Sequence, residues 1–403
     1  MFKERIKTHH SAMGDGKQFV RGMRTVGEVL HIENASDEKN ATIYIHVPFC
    51  NKICSFCNMR RSLQKPSEHY AEWVIKEIHA YAKLPYLQTT TFDAVYFGGG
   101  TPTTLSAEDL CSILKTLKET FRFTEDAEFT IETTVTELDE EKMDRLIGAG
   151  VNRFSVGVQT FDDAGRKKMG RIGTGAAAFE RLRQLKQYPG VTVSMDLIYN
   201  YPEQTMESLY RDLDKIVELD LDGFSMYSLI DMKGSTIDPA QGEANDEAMF
   251  FAIAESMKAH GYRFLELTKM VKGDRYKYIM NRHQGADTLP LGAGAGGSVG
   301  GLAMMNPIEL AEYEKSVEAV ECKQGMLFDK AYGEMVRFKG DVQTVHLPKN
   351  ETLYRDKAEY EAFCEQLLAN GMIEKEATGA YCLTEKGIFW GNTISRTLYS
   401  MIL

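Results

Sequence analysis

From residue 41 onward, short apolar runs alternate with longer segments whose apolar residues recur every three or four positions. These are the periods of strands and of amphipathic helices. The runs at 42–47, 92–97, 128–132, 153–158, 192–198 and 223–228 are rich in β-branched and aromatic residues and read as strands. Between them, Ser106-x-x-Asp109 resembles a capping box ahead of a Leu110, Ile113, Leu114, Leu117 stripe. A second helix over 138–147 stops at Gly148 and Gly150, as a C-terminal cap would. Repeated strand–helix units predict an α/β fold with a parallel sheet curled into a full or partial barrel. Functional residues then belong at the carboxyl ends of the strands.

The flanks are less regular. Residues 1–40 carry Arg5, His9, His10, Arg21 and Arg24 among glycines and polar residues, with a weak helical pattern over 19–30. They read as a surface arm, or as an arm folded over the mouth of a site. After the sixth strand, 246–260 reads as a helix, 262–267 as a strand, and Leu291-Gly292-Ala293-Gly294-Ala295-Gly296-Gly297-Ser298 as a backbone-exposing loop or a flexible connection. From about 307 the pattern is that of a helical appendage, with an amphipathic helix over 358–369. The expected division is an arm at 1–40, a barrel with its cavity loops at 41–300, and a C-terminal domain at 301–403.

Composition narrows the function. A chain of 403 residues with 43% hydrophobic content can bury a large core, and a net charge of -11 argues against broad nucleic-acid or anionic-membrane binding. The start, Met1-Phe2-Lys3-Glu4-Arg5-Ile6-Lys7, lacks a signal-peptide core, and no apolar run reaches membrane-spanning length, so a cytoplasmic protein is expected. Of seven cysteines, Cys111, Cys322, Cys364 and Cys382 are scattered singly and read as packing residues in a reducing compartment.

The other three are not scattered. In Tyr44-Ile45-His46-Val47-Pro48-Phe49-Cys50-Asn51-Lys52-Ile53-Cys54-Ser55-Phe56-Cys57, three thiols lie within one compact loop. Thiolates are soft ligands for iron–sulfur clusters and zinc, and three of them on one cluster leave one iron open to a ligand. Structural zinc usually takes four protein ligands; no second pair follows this loop, although His46 and His69 are near. A disulfide would leave one clustered thiol unpaired.

The spacing resembles that of radical S-adenosylmethionine (SAM) enzymes, and Tyr-Ile-His-Val-Pro-Phe-Cys is similar to the entry strand of the branch containing oxygen-independent coproporphyrinogen III oxidase. The resemblance implies a partial (β/α)6 radical SAM barrel with a mainly helical C-terminal domain. It also implies a [4Fe-4S] cluster on Cys50, Cys54 and Cys57, whose open iron chelates SAM and whose electron cleaves it to methionine and a 5′-deoxyadenosyl radical.

Other motifs fall at strand ends. Gly98-Gly99-Gly100-Thr101-Pro102 can bring its backbone close to a ligand, and a tight strand–helix turn also needs glycine. By resemblance, Gly99, Gly100 and Thr101 cradle the amino end of SAM. Glu132 could accept hydrogen bonds from a ribose or form a rim salt bridge. Gln159 and Arg171 offer an amide and a fork suited to a carboxylate, and the resemblance gives both to SAM. Asp196 is matched to SAM or ribose hydroxyls; alternatively it caps a helix. Tyr44 and Phe56 are expected around the cluster and SAM, and Ile198 in a second SAM pocket.

Coproporphyrinogen III oxidases have a fourth cysteine where this chain has Met59, and the haem-chaperone paralogues also lack it. Chaperone-like proteins carry Ala-His after Gly-Ala-Gly; here the pair is Gly296-Gly297. With Phe389-Trp390 after Thr384-Glu385-Lys386-Gly387, and with the stretch from Gly157-Val158-Gln159 to Lys168-Met169-Gly170-Arg171, the chain resembles anaerobic haem-degrading radical SAM methyltransferases. These open haem to the linear tetrapyrrole anaerobilin and release iron. The resemblance implies two bound SAM molecules, haem or a related porphyrin as substrate with Arg60 or Arg61 pairing its propionates, and a flavodoxin- or ferredoxin-type electron donor. It further implies a monomer, with neither nucleic acid nor membrane as partner.

Overall fold

The computed structural model describes residues 1–7, 16–34, 41–57, 61–230, 234–238, 240–348 and 356–402. His9, His10, Met59 and Arg60, singled out above, lie outside them. The strands in chain order are β1 (Val20–Thr25), β2 (Ala41–Val47), β3 (Thr91–Gly99), β4 (Arg122–Thr134), β5 (Arg153–Gln159), β6 (Thr192–Tyr199), β7 (Gly223–Ser228), β8 (Arg263–Glu266), β9 (Lys269–Val271), β10 (Thr288–Leu291), β11 (Gly296–Val299), β12 (Leu302–Met305) and β13 (Gln324–Phe328). All thirteen form one sheet in the order β1-β13-β12-β11-β10-β2-β3-β4-β5-β6-β7-β9-β8.

The six strands β2 to β7 are parallel and adjacent in chain order, which makes them a partial (β/α)6 barrel. They are the six expected from the apolar runs, each longer by at most a few residues except β4, which starts at Arg122. Their near-continuous burial follows from helices covering the outer face. The helix Ala107–Thr120 buries Leu110, Ile113, Leu114 and Leu117, and Ser106 caps it by accepting from the Asp109 N–H. The helix Glu140–Gly148 is capped by Asp139.

The flanks differ from expectation. Part of the arm, Val20–Thr25, is a strand that pairs antiparallel with β13. One sheet also crosses the division expected at residue 300, since β11, β12 and β13 continue it as an antiparallel meander. Gly296, Gly297 and Ser298, read above as loop, lie in β11. The stretch 262–267 becomes part of an antiparallel hairpin, β8 with β9. Beyond β13 the chain is mainly helical, with Lys330–Gln343, Lys357–Ala369, Glu385–Phe389 and Gly391–Ile402 around a small hairpin. Phe2 stacks on Trp390, and Ile6 N–H donates to Thr393, so the first residues are laced to the last helices. Of the scattered cysteines, Cys364 is buried and Cys322 exposed. No helix among the described residues is long and apolar enough to cross a membrane.

Candidate active site

The cysteine loop leaves β2 at its carboxyl end and is tied down on both sides. Cys50 N–H donates to the Ser62 carbonyl at 2.9 Å, and Cys57 N–H to the Cys54 carbonyl at 3.2 Å. Ser55 anchors the middle: its N–H donates to Met169 O at 3.2 Å and its hydroxyl to Lys168 O at 2.8 Å. Arg61 donates to the Cys57 carbonyl. The loop therefore docks on the turn that carries Arg171.

The glycine turn after β3 supports the same loop from the other side. Gly100 N–H donates to Val47 O and Thr101 N–H to Phe49 O, each at 2.8 Å. A Cβ on Gly100 would stand 2.5 Å from Phe49 O, closer than any side chain permits. The Thr101 hydroxyl lies 3.8 Å from Cys50 Sγ.

Strand ends place the polar groups. Gln159 closes β5 in the left-handed region, at φ 70°, and its Oε1 is buried with no hydrogen-bond partner among the described residues. Arg171 directs Nη1 to Cys54 Sγ at 3.1 Å and Nη2 to Gly157 O, while its Nε is buried with no partner among the described residues. Glu132 accepts from Tyr96 OH at 2.6 Å and from Gly99 N–H at 3.1 Å. Burial, with the Asp196 charge beside it, raises its carboxyl to about 7 against the hydrogen bond from Tyr96. Burial also raises the Asp196 carboxyl, against the pull of Lys269.

These groups share one cavity of about 1460 Å³, lined by Cys50, Cys54, Cys57, Phe56, Gly99, Gly100, Thr101, Glu132, Gln159, Arg171, Asp196 and Ile198. Phe56 and Ile198 belong to one apolar cluster with Met169, Tyr201 and Leu229. Tyr44 stands apart from the lining: its hydroxyl bonds His46 Nδ1 at 2.9 Å and its ring stacks on Tyr96 and Tyr278. The alternative of Asp196 as a helix cap is not met, since the following helix Met206–Glu218 is capped by Thr205.

Sequence reasoning missed several residues. Arg166 is buried and donates to the carbonyls of Val158, Thr160, Ile172 and Gly173, fixing the turns that present Gln159 and Arg171. Tyr199 and Tyr227 also line the cavity, and the strand-end rule could have found them. Arg282, His283 and Lys339 line it from helices outside the repeated units, where no motif marks them.

The radical SAM superfamily model matches residues 44–216. Anaerobilin synthase of Escherichia coli O157:H7 is 31% identical over 390 residues, 92% of this chain and 86% of that protein. This chain belongs to the radical SAM superfamily. Its relatives place it in the coproporphyrinogen III oxidase-like branch: heme chaperone HemW of Lactococcus lactis is 31% identical over 292 residues, 69% of this chain and 75% of that protein. Oxygen-independent coproporphyrinogen III oxidase of Escherichia coli is 27% identical over 306 residues, 70% of this chain and 66% of that protein. The solved structure of coproporphyrinogen III oxidase (HemN) from Escherichia coli shares the fold, with a TM-score of 0.74 at 23% identity, covering 90% of this chain and 91% of that one.

Radical SAM enzymes use a [4Fe-4S] cluster and SAM, and this cavity fits both. Three thiols reach it from a single loop. The buried unpaired Gln159 Oε1 and Arg171 Nε are polar atoms that a ligand could satisfy. The Gly99-Gly100 turn lines the same cavity, and its missing Cβ atoms let the His46 ring and Phe49 O approach the turn closely.

Proposed function

We propose that this protein is a radical SAM C-methyltransferase that opens haem anaerobically to a linear tetrapyrrole with release of iron, taking its one-carbon unit from a second SAM. The observation that carries the reading is the reach of the similarity to anaerobilin synthase. It covers 92% of the chain, so it extends past the barrel into the segments that complete the cavity, whereas the similarity to HemW covers 69%. The cavity, at about 1460 Å³, exceeds the roughly 300–1,000 Å³ of common small-molecule sites and suits a substrate wider than a nucleoside.

When bound, the cluster and SAM supply one-electron cleavage to methionine and a hydrogen-abstracting 5′-deoxyadenosyl radical. Cys50, Cys54 and Cys57 hold three cluster corners. Gly99, Gly100 and Thr101 receive the amino end of SAM, Gln159 and Arg171 its carboxylate, and Glu132 and Asp196 its ribose hydroxyls. Ile198 and Phe56 offer an apolar wall to the second SAM. Enclosure keeps water from a reactive carbon centre. The electron comes from a flavodoxin- or ferredoxin-type donor, and the protein acts as a monomer in the cytoplasm.

The test is anaerobic incubation of the reconstituted protein with haem, SAM and a reductant. Loss of the haem spectrum with formation of 5′-deoxyadenosine and a methylated open tetrapyrrole is expected, and Cys54→Ala abolishes both. Haem retained intact would make the protein a carrier. Loss of carbon dioxide from a porphyrinogen would make it an oxidase.

A further inference from the structure

At the cavity wall, the helix Lys277–His283 packs against the helix Lys330–Gln343. The approach is close because residue 340 is glycine: a Cβ there would stand 2.1 Å from His283 O. Arg337 Nε bonds Gln284 O at 2.9 Å across the same seam. The seam presents two cations to the cavity, Arg282 from one helix and Lys339 from the other.

Among the described residues, neither cation has a carboxylate within ion-pair distance. Arg282 Nη1 bonds only a neutral group, Tyr278 OH at 3.3 Å. The acids nearby are already engaged. Glu266 accepts from His283 Nε2 at 2.7 Å, and Asp287 from Tyr86 OH at 2.7 Å and Gly300 N–H at 3.1 Å. Burial and the charge of Arg282 both hold the Lys339 ammonium below its ordinary range. Two like charges close enough to act on one another cost stability unless an anion joins them.

We propose that Arg282 and Lys339 are the receptors for the carboxylates of the tetrapyrrole, fixing which edge of the ring faces this wall. The proposal rests on the porphyrin reading above and assigns its orientation. A guanidinium can grip one carboxylate with two parallel hydrogen bonds, and an ammonium can serve the other as a point charge. Tyr276, Ile279, Tyr332 and Val336 line the same wall and offer aromatic and aliphatic surface to the ring plane. Of Arg60 and Arg61, expected from sequence to pair with the propionates, Arg60 lies outside the described residues, and Arg61 lines the cavity while donating to the carbonyl of Cys57.

The test uses the full chain, reconstituted anaerobically, and two probes of equal ring size: iron protoporphyrin IX and its dimethyl ester. The wild-type protein is expected to bind the diacid more tightly. Lys339→Ala and Arg282→Ala should each weaken diacid binding on the order of tenfold and leave the diester unchanged, so that each cuts the preference by that factor. Lys339→Arg should retain the full preference, and Lys339→Met, which keeps the aliphatic stem, should cut it as the alanine variant does, even if the alanine variant folds poorly. Equal loss of both probes, or diacid binding unchanged in both alanine variants, would overturn the assignment. Wild-type protein that binds both probes equally would overturn the assignment alone. Wild-type protein that binds neither would overturn the porphyrin reading with it.

Discussion

Arg171 Nη1 lies 3.1 Å from Cys54 Sγ, so a permanent cation sits against one of the three thiols of the motif. A positive donor to a cluster-ligating sulfur favours the reduced, more negative cluster. Arg171→Leu should therefore lower the cluster's reduction potential and weaken SAM binding, while iron content stays near that of the wild type. A redox titration followed by electron paramagnetic resonance reads the first effect. An unchanged potential would remove Arg171 from this role.

Glu132 gives the apoprotein a pH signature. Its carboxyl is raised from 4.5 to about 7 by burial and by Asp196. Below pH 4.5 the folded and unfolded chains are both protonated there. Above it the unfolded chain ionises first, so stability falls as pH rises to about 7, by at most about 3 kcal/mol. Thermal melts of Glu132→Gln and wild-type apoprotein should diverge across that interval, the variant gaining with pH, and run parallel beyond it. A constant offset at every pH would contradict the shift.

Gly100→Ala forces a methyl group against Phe49 O and the Pro48 carbonyl carbon, at 2.5 and 2.8 Å. Backbone atoms cannot rotate aside, so the loop segment that leads from β2 to Cys50 must shift. A loss of about 1–3 kcal/mol in urea unfolding is expected, with reduced cluster incorporation. Iron analysis after reconstitution checks the second effect.

Glu77 is fully buried and joins separate parts of the chain. It accepts from Gly292 N–H at 2.9 Å, Asn306 Nδ2 at 2.8 Å and Tyr313 OH at 2.7 Å, and pairs with Lys323. Glu77→Ala would strand the Lys323 charge and free the 292–295 turn. Destabilisation of about 3–5 kcal/mol is expected in denaturant unfolding.

What could be read from sequence follows the range of the forces involved. The six parallel strands announce themselves because buried strands favour short runs rich in β-branched and aromatic residues, even with polar residues such as Ser155, Ser194 and Asp196 set among them. The three thiols are legible because their spacing is local. β1, in contrast, reads Val-Arg-Gly-Met-Arg-Thr with its side chains largely at the surface, and its partner β13 is remote in sequence. No local pattern encodes that pairing. Arg166 and Glu77 are charged residues on otherwise ordinary helices, and only the assembled fold shows that carbonyls and hydroxyls surround them. The same holds for Arg282 and Lys339, which become neighbours only when two helices without sequence motifs pack together.

The pairing of β1 with β13 joins Val20 to Phe328, about 300 residues further along. During synthesis the parallel strands emerge and can associate well before β13 leaves the ribosome. The first strand made is thus among the last to find its neighbour, and closure of so large a loop is slow. The stretch of cavity lining that includes Phe328 is therefore made long after the cysteine loop that it shares the cavity with.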